Sequence, residues 1–138
     1  MAFTISTDKS RLDVAAVHDF LCNEAYWSQG RPREVVERSI AGSMCFGVYN
    51  SEDRQVGFAR VITDQATFAW IADLFILREA RGRGLSKALV RAIIEHPDLQ
   101  NMRRWLLGTR DAHSLYAQFG FEPLPEPKRY MVRSGGGK

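Results

Sequence analysis

A chain of 138 residues, 45% hydrophobic and 25% charged, is long enough for one domain with a real core and too short for two comfortable ones. Its formal net charge of +3 suits an anionic small molecule or an acidic partner, and is too small to argue for nucleic acid. No apolar run approaches a membrane span, and MAFTISTDKS lacks the charged-then-apolar layout of a signal peptide, so a cytoplasmic protein without membrane or nucleic-acid partners is expected.

In chain order, FTIST reads as a short strand, with Asp8 or Ser10 as the cap of the next element. From Leu12, the positions Leu12, Ala15, Ala16, Phe20 and Leu21 keep helical spacing. The pattern dissolves at NEAYWSQGRP, and Pro32 suits the first turn of a second helix with Val35, Val36, Ser39 and Ile40 on one face. MCFGVYN and QVGFARVIT are two strands joined by the polar turn NSED, and TFAWIADLFIL comes next as a third. After Arg81 the period switches: Leu85, Ala88, Leu89, Ala92 and Ile93 form a helical stripe that Pro97 ends. RRWLLGT is a further strand, Ala112, Leu115, Tyr116 and Phe119 mark a last helix, and FEPLPEPKRYMVR closes with proline-broken chain and a final strand. This is an α/β order with a mixed sheet, antiparallel at first and parallel around the helix that begins near residue 85. Residues 1–133 form one domain, and SGGGK at 134–138 has the composition of a flexible tail outside it. Cys22 and Cys45 lie in apolar contexts without metal-ligand spacing; they read as buried free thiols, and no metal is expected.

The strand-to-helix turn REARGRGLSKAL carries the clearest chemical signal. A helix start offers amide donors with no partner and the positive end of the helix dipole. Gly82 and Gly84 allow the backbone to turn and approach a ligand closely, while Arg81, Arg83 and Lys87 add positive charge. A phosphate or pyrophosphate fits such a loop, and a merely solvated basic turn is the plain alternative. The sequence matches neither GxxxxGK[ST] nor GxGxxG, because no Gly-Lys pair precedes Ser or Thr and Lys87 stands at the third glycine position.

Arg81-Gly82-Arg83-Gly84-Leu85-Ser86 resembles the R/Q-x-x-G-x-G/A coenzyme A loop of the GNAT acetyltransferase superfamily. Thr109 to Phe121, TRDAHSLYAQFGF, is similar to that family's N-x-x-A-x-x-L-Y-x-x-x-G-F motif, and the order of elements is also the family's. Ser86 stands where Gly or Ala is usual, Thr109 replaces Asn, and Arg78 replaces a common proline. The resemblance implies a central mixed sheet of about six to seven strands flanked by about four helices. It also implies direct transfer of acetyl from acetyl-CoA to an amine, with a small-molecule acceptor expected. Phe75 and Ile76 would present amides to the thioester carbonyl, and Arg81 to Lys87, with Leu85, Ser86 and Thr109, would hold the coenzyme. Dimers are common in the family, though no residue of this chain demonstrates one.

Tyr116 matches the family's acid tyrosine, and it also lies on the apolar stripe of its helix, so leaving-group acid and core packing are both open. Asp73 is the only acid in an apolar strand; it either orients or deprotonates the amine, or faces solvent at a bulge. Glu24 is a weaker rival as base. Tyr26, Trp27 and Arg31 supply two aromatic walls and an anion clamp over the acceptor, or pack their loop down. His113 reads as surface, since i and i+2 on a helix do not face each other. Rival functions are a non-catalytic acyl-CoA sensor, a protein-lysine acetyltransferase and a basic nucleic-acid module.

Overall fold

The strand Met44–Tyr49 is buried along almost its whole length, which requires cover on both faces of the sheet it belongs to. The computed structural model describes residues 2–138 and shows how that cover is provided. The elements are β1 (Thr4–Ser6), α1 (Val14–Asn23), α2 (Arg33–Ala41), β2 (Met44–Tyr49), β3 (Gln55–Thr63), β4 (Phe68–Ile76), α3 (Leu85–Glu95), β5 (Arg104–Leu107) and α4 (His113–Ala117). The five strands lie in the order β1-β2-β3-β4-β5, antiparallel except for the β4–β5 pair, which is parallel.

Each face of the sheet has its own core. Leu85, Leu89 and Ile93 of α3 pack on Phe46, Val48, Val61, Ala69 and Ile71. On the other face, Val17, Phe20 and Leu21 of α1 and Val36 and Ile40 of α2 pack on Cys45, Phe58 and Phe75. The Phe20 and Phe75 rings stack with centroids 4.0 Å apart, which ties α1 to β4.

The turns owe their shape to side-chain chemistry. Asn50 Oδ1 accepts from the amides of Glu52 and Arg54, closing the β2–β3 turn. Asp64 accepts from the Thr67, Ala66 and Phe68 amides and the Thr67 hydroxyl, and these bonds hold its carboxyl well below the usual range. Asp13 caps α1 by accepting from the Ala16 amide at 3.0 Å, whereas Asp8 caps the short 3-10 turn Lys9–Arg11 that precedes it. Pro32 stands at the cap of α2, one place before the expected first turn.

Three expectations are corrected. The sheet has five strands among the described residues, not six to seven. The segment read as a final strand holds a 3-10 turn at Pro127–Arg129 and then extended, unpaired chain, with Met131 99% and Val132 97% exposed. Pro123, Pro125 and Pro127 remove amide donors just before it, so β-favouring side chains alone form no ladder there. The last helix is also shorter than its apolar stripe, spanning five residues before Gly120 turns the chain at φ 89°.

The fold depends on α3 filling its face of the sheet. Leu89→Ala, at a fully buried position, is expected to cost about 2–5 kcal/mol of stability, read as a lowered denaturation midpoint in urea.

Candidate functional site

The pairing of β4 with β5 ends at Ile71–Leu107, while β4 itself continues to Ile76. From Ala72 onward its edge faces no strand among the described residues, and a cleft of about 640 Å³ opens there. Its walls come from the α1–α2 segment, β4, the start of α3, and the loop from Gly108 to Tyr116.

Within this open stretch β4 carries a bulge. Asp73 and Leu74 together oppose Ala59, because the register runs from Arg60–Ala72 to Phe58–Phe75. Asp73 adopts φ 54°, a conformation few non-glycine residues take. The extra residue inverts the strand's facing: Ala69 and Ile71 point to the α3 core, whereas Phe75 points to the α1–α2 core. The Asp73 side chain therefore turns to the α1–α2 side, into the cleft wall.

There it is almost completely enclosed, with a side-chain exposure of 3%. Oδ1 accepts from Trp27 Nε1 at 2.8 Å, and Oδ2 from Arg31 Nη1 at 2.9 Å and Arg60 Nε at 2.8 Å. The solvent-facing alternative for Asp73 is thus excluded, and its bulge is real. Arg60 was not singled out in the sequence. Its signal was there: it is the only cation in the apolar strand QVGFARVIT, the same anomaly that marked Asp73. Arg60 also donates from Nη1 to Ser43 Oγ at 3.0 Å.

Trp27 and Arg31 meet at one carboxylate, while Tyr26 bridges to the opposite wall. Its hydroxyl accepts from the Arg110 amide at 3.0 Å, and the Arg110 guanidinium lies 3.8 Å from its ring centroid. His18 Nε2 lies 3.1 Å from the main-chain oxygen of Arg31, fixing the loop from beneath. Lys138, within the segment read as a flexible tail, offers its carbonyl oxygen to Arg31 Nε at 3.2 Å.

Along the open edge of β4, the amides alternate. The Leu77 amide donates to Val56, so the Ile76 amide points away from β3, to the cleft side. By the same alternation Phe75 directs its amide to β3, while its ring packs in the α1–α2 core. The Ile76 carbonyl accepts from Arg81 Nε at 2.9 Å, which orients that guanidinium at the cleft mouth.

The glycine turn has the features read from its sequence. Gly82 and Gly84 have φ 78° and 73°, and a Cβ on either would meet no protein atom within 4 Å. Gly84 is the N-cap of α3 and supplies no side-chain cap, so the first-turn amides around Leu85, Ser86 and Lys87 have no side-chain partner at the cap. Leu85 itself is core, Ser86 lines the cleft, and Arg83 and Lys87 are exposed beside it. A phosphate-bearing ligand fits this end. Thr109 also lines the cleft, and its Oγ1 accepts from the Ala112 amide, holding the loop before α4.

Tyr116 is 8% exposed and borders the cleft from α4, its ring edge-on to Phe121. Burial, with Tyr26 adding to it, pushes its phenol up to about 12, so it stays protonated throughout the neutral range. Core packing and access to the cleft thus coexist in one residue. Cys45 is buried in the α1–α2 core, and burial raises its thiol to about 11, which fits an inert side chain rather than a nucleophile. His113 is exposed, as expected.

The enclosed Arg31–Asp73–Arg60 group makes a direct prediction. Asp73→Asn leaves two guanidiniums, each 13% exposed, without their carboxylate, and is expected to cost about 3–5 kcal/mol in a urea titration.

Comparison with known proteins agrees with this architecture. The acetyltransferase (GNAT) family profile matches residues 14–121. A Gibberella zeae protein named as an acetyltransferase is 28% identical over an alignment of 135 residues, covering 84% of this chain and 76% of its own. A crystal structure from Xanthomonas campestris, assigned to the same family, is 47% identical and superposes with a TM-score of 0.95, covering 99% of this chain and 96% of that one. N-acetylglutamate synthase from Neisseria gonorrhoeae, solved with coenzyme A and N-acetyl-glutamate, shares the fold at 20% identity and a TM-score of 0.71 over 94% of this chain and 31% of its own.

Proposed function

The chain belongs to the GNAT acetyltransferase family, and from that premise we propose that it transfers acetyl from acetyl-CoA to the amine of a small molecule by direct attack. One observation carries the reading: the free edge of β4, the uncapped start of α3 and the protonated Tyr116 all border one cleft. The family's coenzyme A end fits the glycine turn, where the open space beyond Gly82 and Gly84 and the charges of Arg81, Arg83 and Lys87 suit a pyrophosphate. When bound, the coenzyme supplies an activated acetyl thioester.

The chain's residues divide the remaining tasks. The Ile76 amide donates to the thioester carbonyl oxygen and is best placed to stabilise the charge that develops on it. Tyr116 gives its phenolic proton to the departing sulfur. The incoming amine attacks unprotonated and releases its proton to water. Asp73, with both oxygens already engaged by three donors, orients Trp27 and Arg31 instead of taking that proton. Trp27 and Tyr26 wall the acceptor. A small acceptor suits a cleft of about 640 Å³.

Calorimetric titration with acetyl-CoA, CoA, ATP and NAD tests the first half: selective binding of the two CoA forms is expected. Gly84→Asp should abolish that binding, because it adds a negative charge and a side chain at φ 73° where the pyrophosphate belongs. Unchanged affinity in a folded variant would remove the phosphate cradle from the reading.

Tyr116→Phe should lower kcat by about 100-fold or more while leaving CoA affinity unchanged. In the wild type, kcat/KM should rise with pH as the acceptor amine loses its proton and show no fall up to pH ~10, since Tyr116 titrates only at about 12. A fall near neutrality would point to a different proton donor.

A further inference from the structure

The charge inside the cleft wall does not balance. Arg31 and Arg60 share one carboxylate, and all three groups are largely shielded from water. The other carboxylates lining the cleft, Glu24 and Asp111, are exposed and screened. Among the side chains, one positive charge therefore remains without a buried carboxylate, at a site where it acts at short range and low dielectric.

Arg31 is also held in a particular pose. Its Nη1 is committed to Asp73, and His18 fixes its main chain. The opposite edge of the guanidinium, Nε with Nη2, presents two parallel N–H groups, the geometry that receives a carboxylate or phosphate in bidentate fashion. Nε already meets one oxygen, the main-chain oxygen of Lys138 at 3.2 Å, and Nη2 has no partner among the described residues. A single oxygen thus occupies an edge whose geometry receives a pair. Asp73 lies three residues before Ile76, at most roughly 10 Å along the strand, so an anion on Arg31 and an amine near the Ile76 amide fit within one small molecule.

We propose that Arg31, steadied by Asp73, is the specificity-determining residue for a small acceptor that carries an oxyanion as well as its amine, and that this oxyanion displaces the main-chain oxygen of Lys138. The inference rests on the amine-acetylation reading above and narrows its substrate to small zwitterions. Carboxylate and phosphate share the chemistry that this edge recognises, and the test separates them.

The full chain is assayed for thiol release from acetyl-CoA with matched amines: amino carboxylates against their amides, and amino phosphates against the corresponding amino alcohols. One anionic series should exceed its neutral partners by about 10- to 100-fold in kcat/KM, the worth of a charge-assisted bond. Arg31→Gln should erase that ratio by raising KM for the anionic member, with acetyl-CoA affinity unchanged. Arg31→Lys, which keeps the charge and loses the fork, should recover part of it. The indole N–H resonance of Trp27, adjacent to Arg31 on Asp73, gives a readout independent of turnover; it should shift on addition of the preferred anion to the CoA complex of the wild type. If Arg31→Gln does not fold, the wild-type ratio and this shift decide the matter. Amines acetylated without anion preference, or no shift with either series, would overturn the clamp alone. Failure to bind acetyl-CoA would overturn the acetyl-transfer reading and the clamp with it.

Discussion

The carboxylate of Asp73 ties the α1–α2 segment to the two central strands β3 and β4. It takes the indole of Trp27 and the guanidinium of Arg31 from the α1–α2 segment and the guanidinium of Arg60 from β3, all within 2.9 Å. A buried charge is costly unless paired and hydrogen-bonded, so each partner is held by the penalty of leaving the others exposed to an apolar wall. The left-handed backbone at Asp73 has a cost of its own, which the three bonds offset. Without the bulge, the period of the strand would carry Asp73 into the α3 core with Ala69 and Ile71, where no cation waits.

The cleft itself comes from a mismatch in strand length. β4 runs nine residues, and only its first four pair with β5. The remaining edge keeps amides that a protein strand does not satisfy, and such an edge is where an extended ligand adds most readily. The start of α3 lies at the end of that edge, and α4 closes it from the far side. Positioning therefore comes from rigid elements, with the sheet and α3 carrying the amides and α4 carrying Tyr116. The loop residues that wall the cleft are stiffened by two separate ties, Trp27 and Arg31 to Asp73 and Tyr26 to Arg110. Fold membership does not by itself fix the acceptor.

Much was legible in the sequence because local rules decide it. Apolar period gave α1, α2 and α3 and the three central strands within a few residues, and the glycine turn announced its own conformation, since only glycine enters φ above 70° at little cost. The final strand was misread for the complementary reason. Tyr130, Met131 and Val132 have the side chains a strand favours, but a strand exists only when another edge receives its hydrogen bonds, and none does. The shortness of α4 was equally hidden: its stripe runs to Phe119, but Gly120 begins to turn the chain before the pattern ends.

By itself, the sequence determined the class of fold, the glycine turn at Arg81 to Lys87, and the two anomalies that line the cleft, a lone acid and a lone tyrosine hydroxyl on apolar stripes. Period and local backbone preference are short-range properties, written within a few neighbouring residues. Only the tertiary structure decided what Asp73 is for, because its partners lie 13, 42 and 46 positions away and meet it through a bulge that reverses the facing of the strand. Pairing across such distances depends on how layers pack, and no window of sequence around Asp73 contains Arg60, Arg31 or Trp27 as its neighbours.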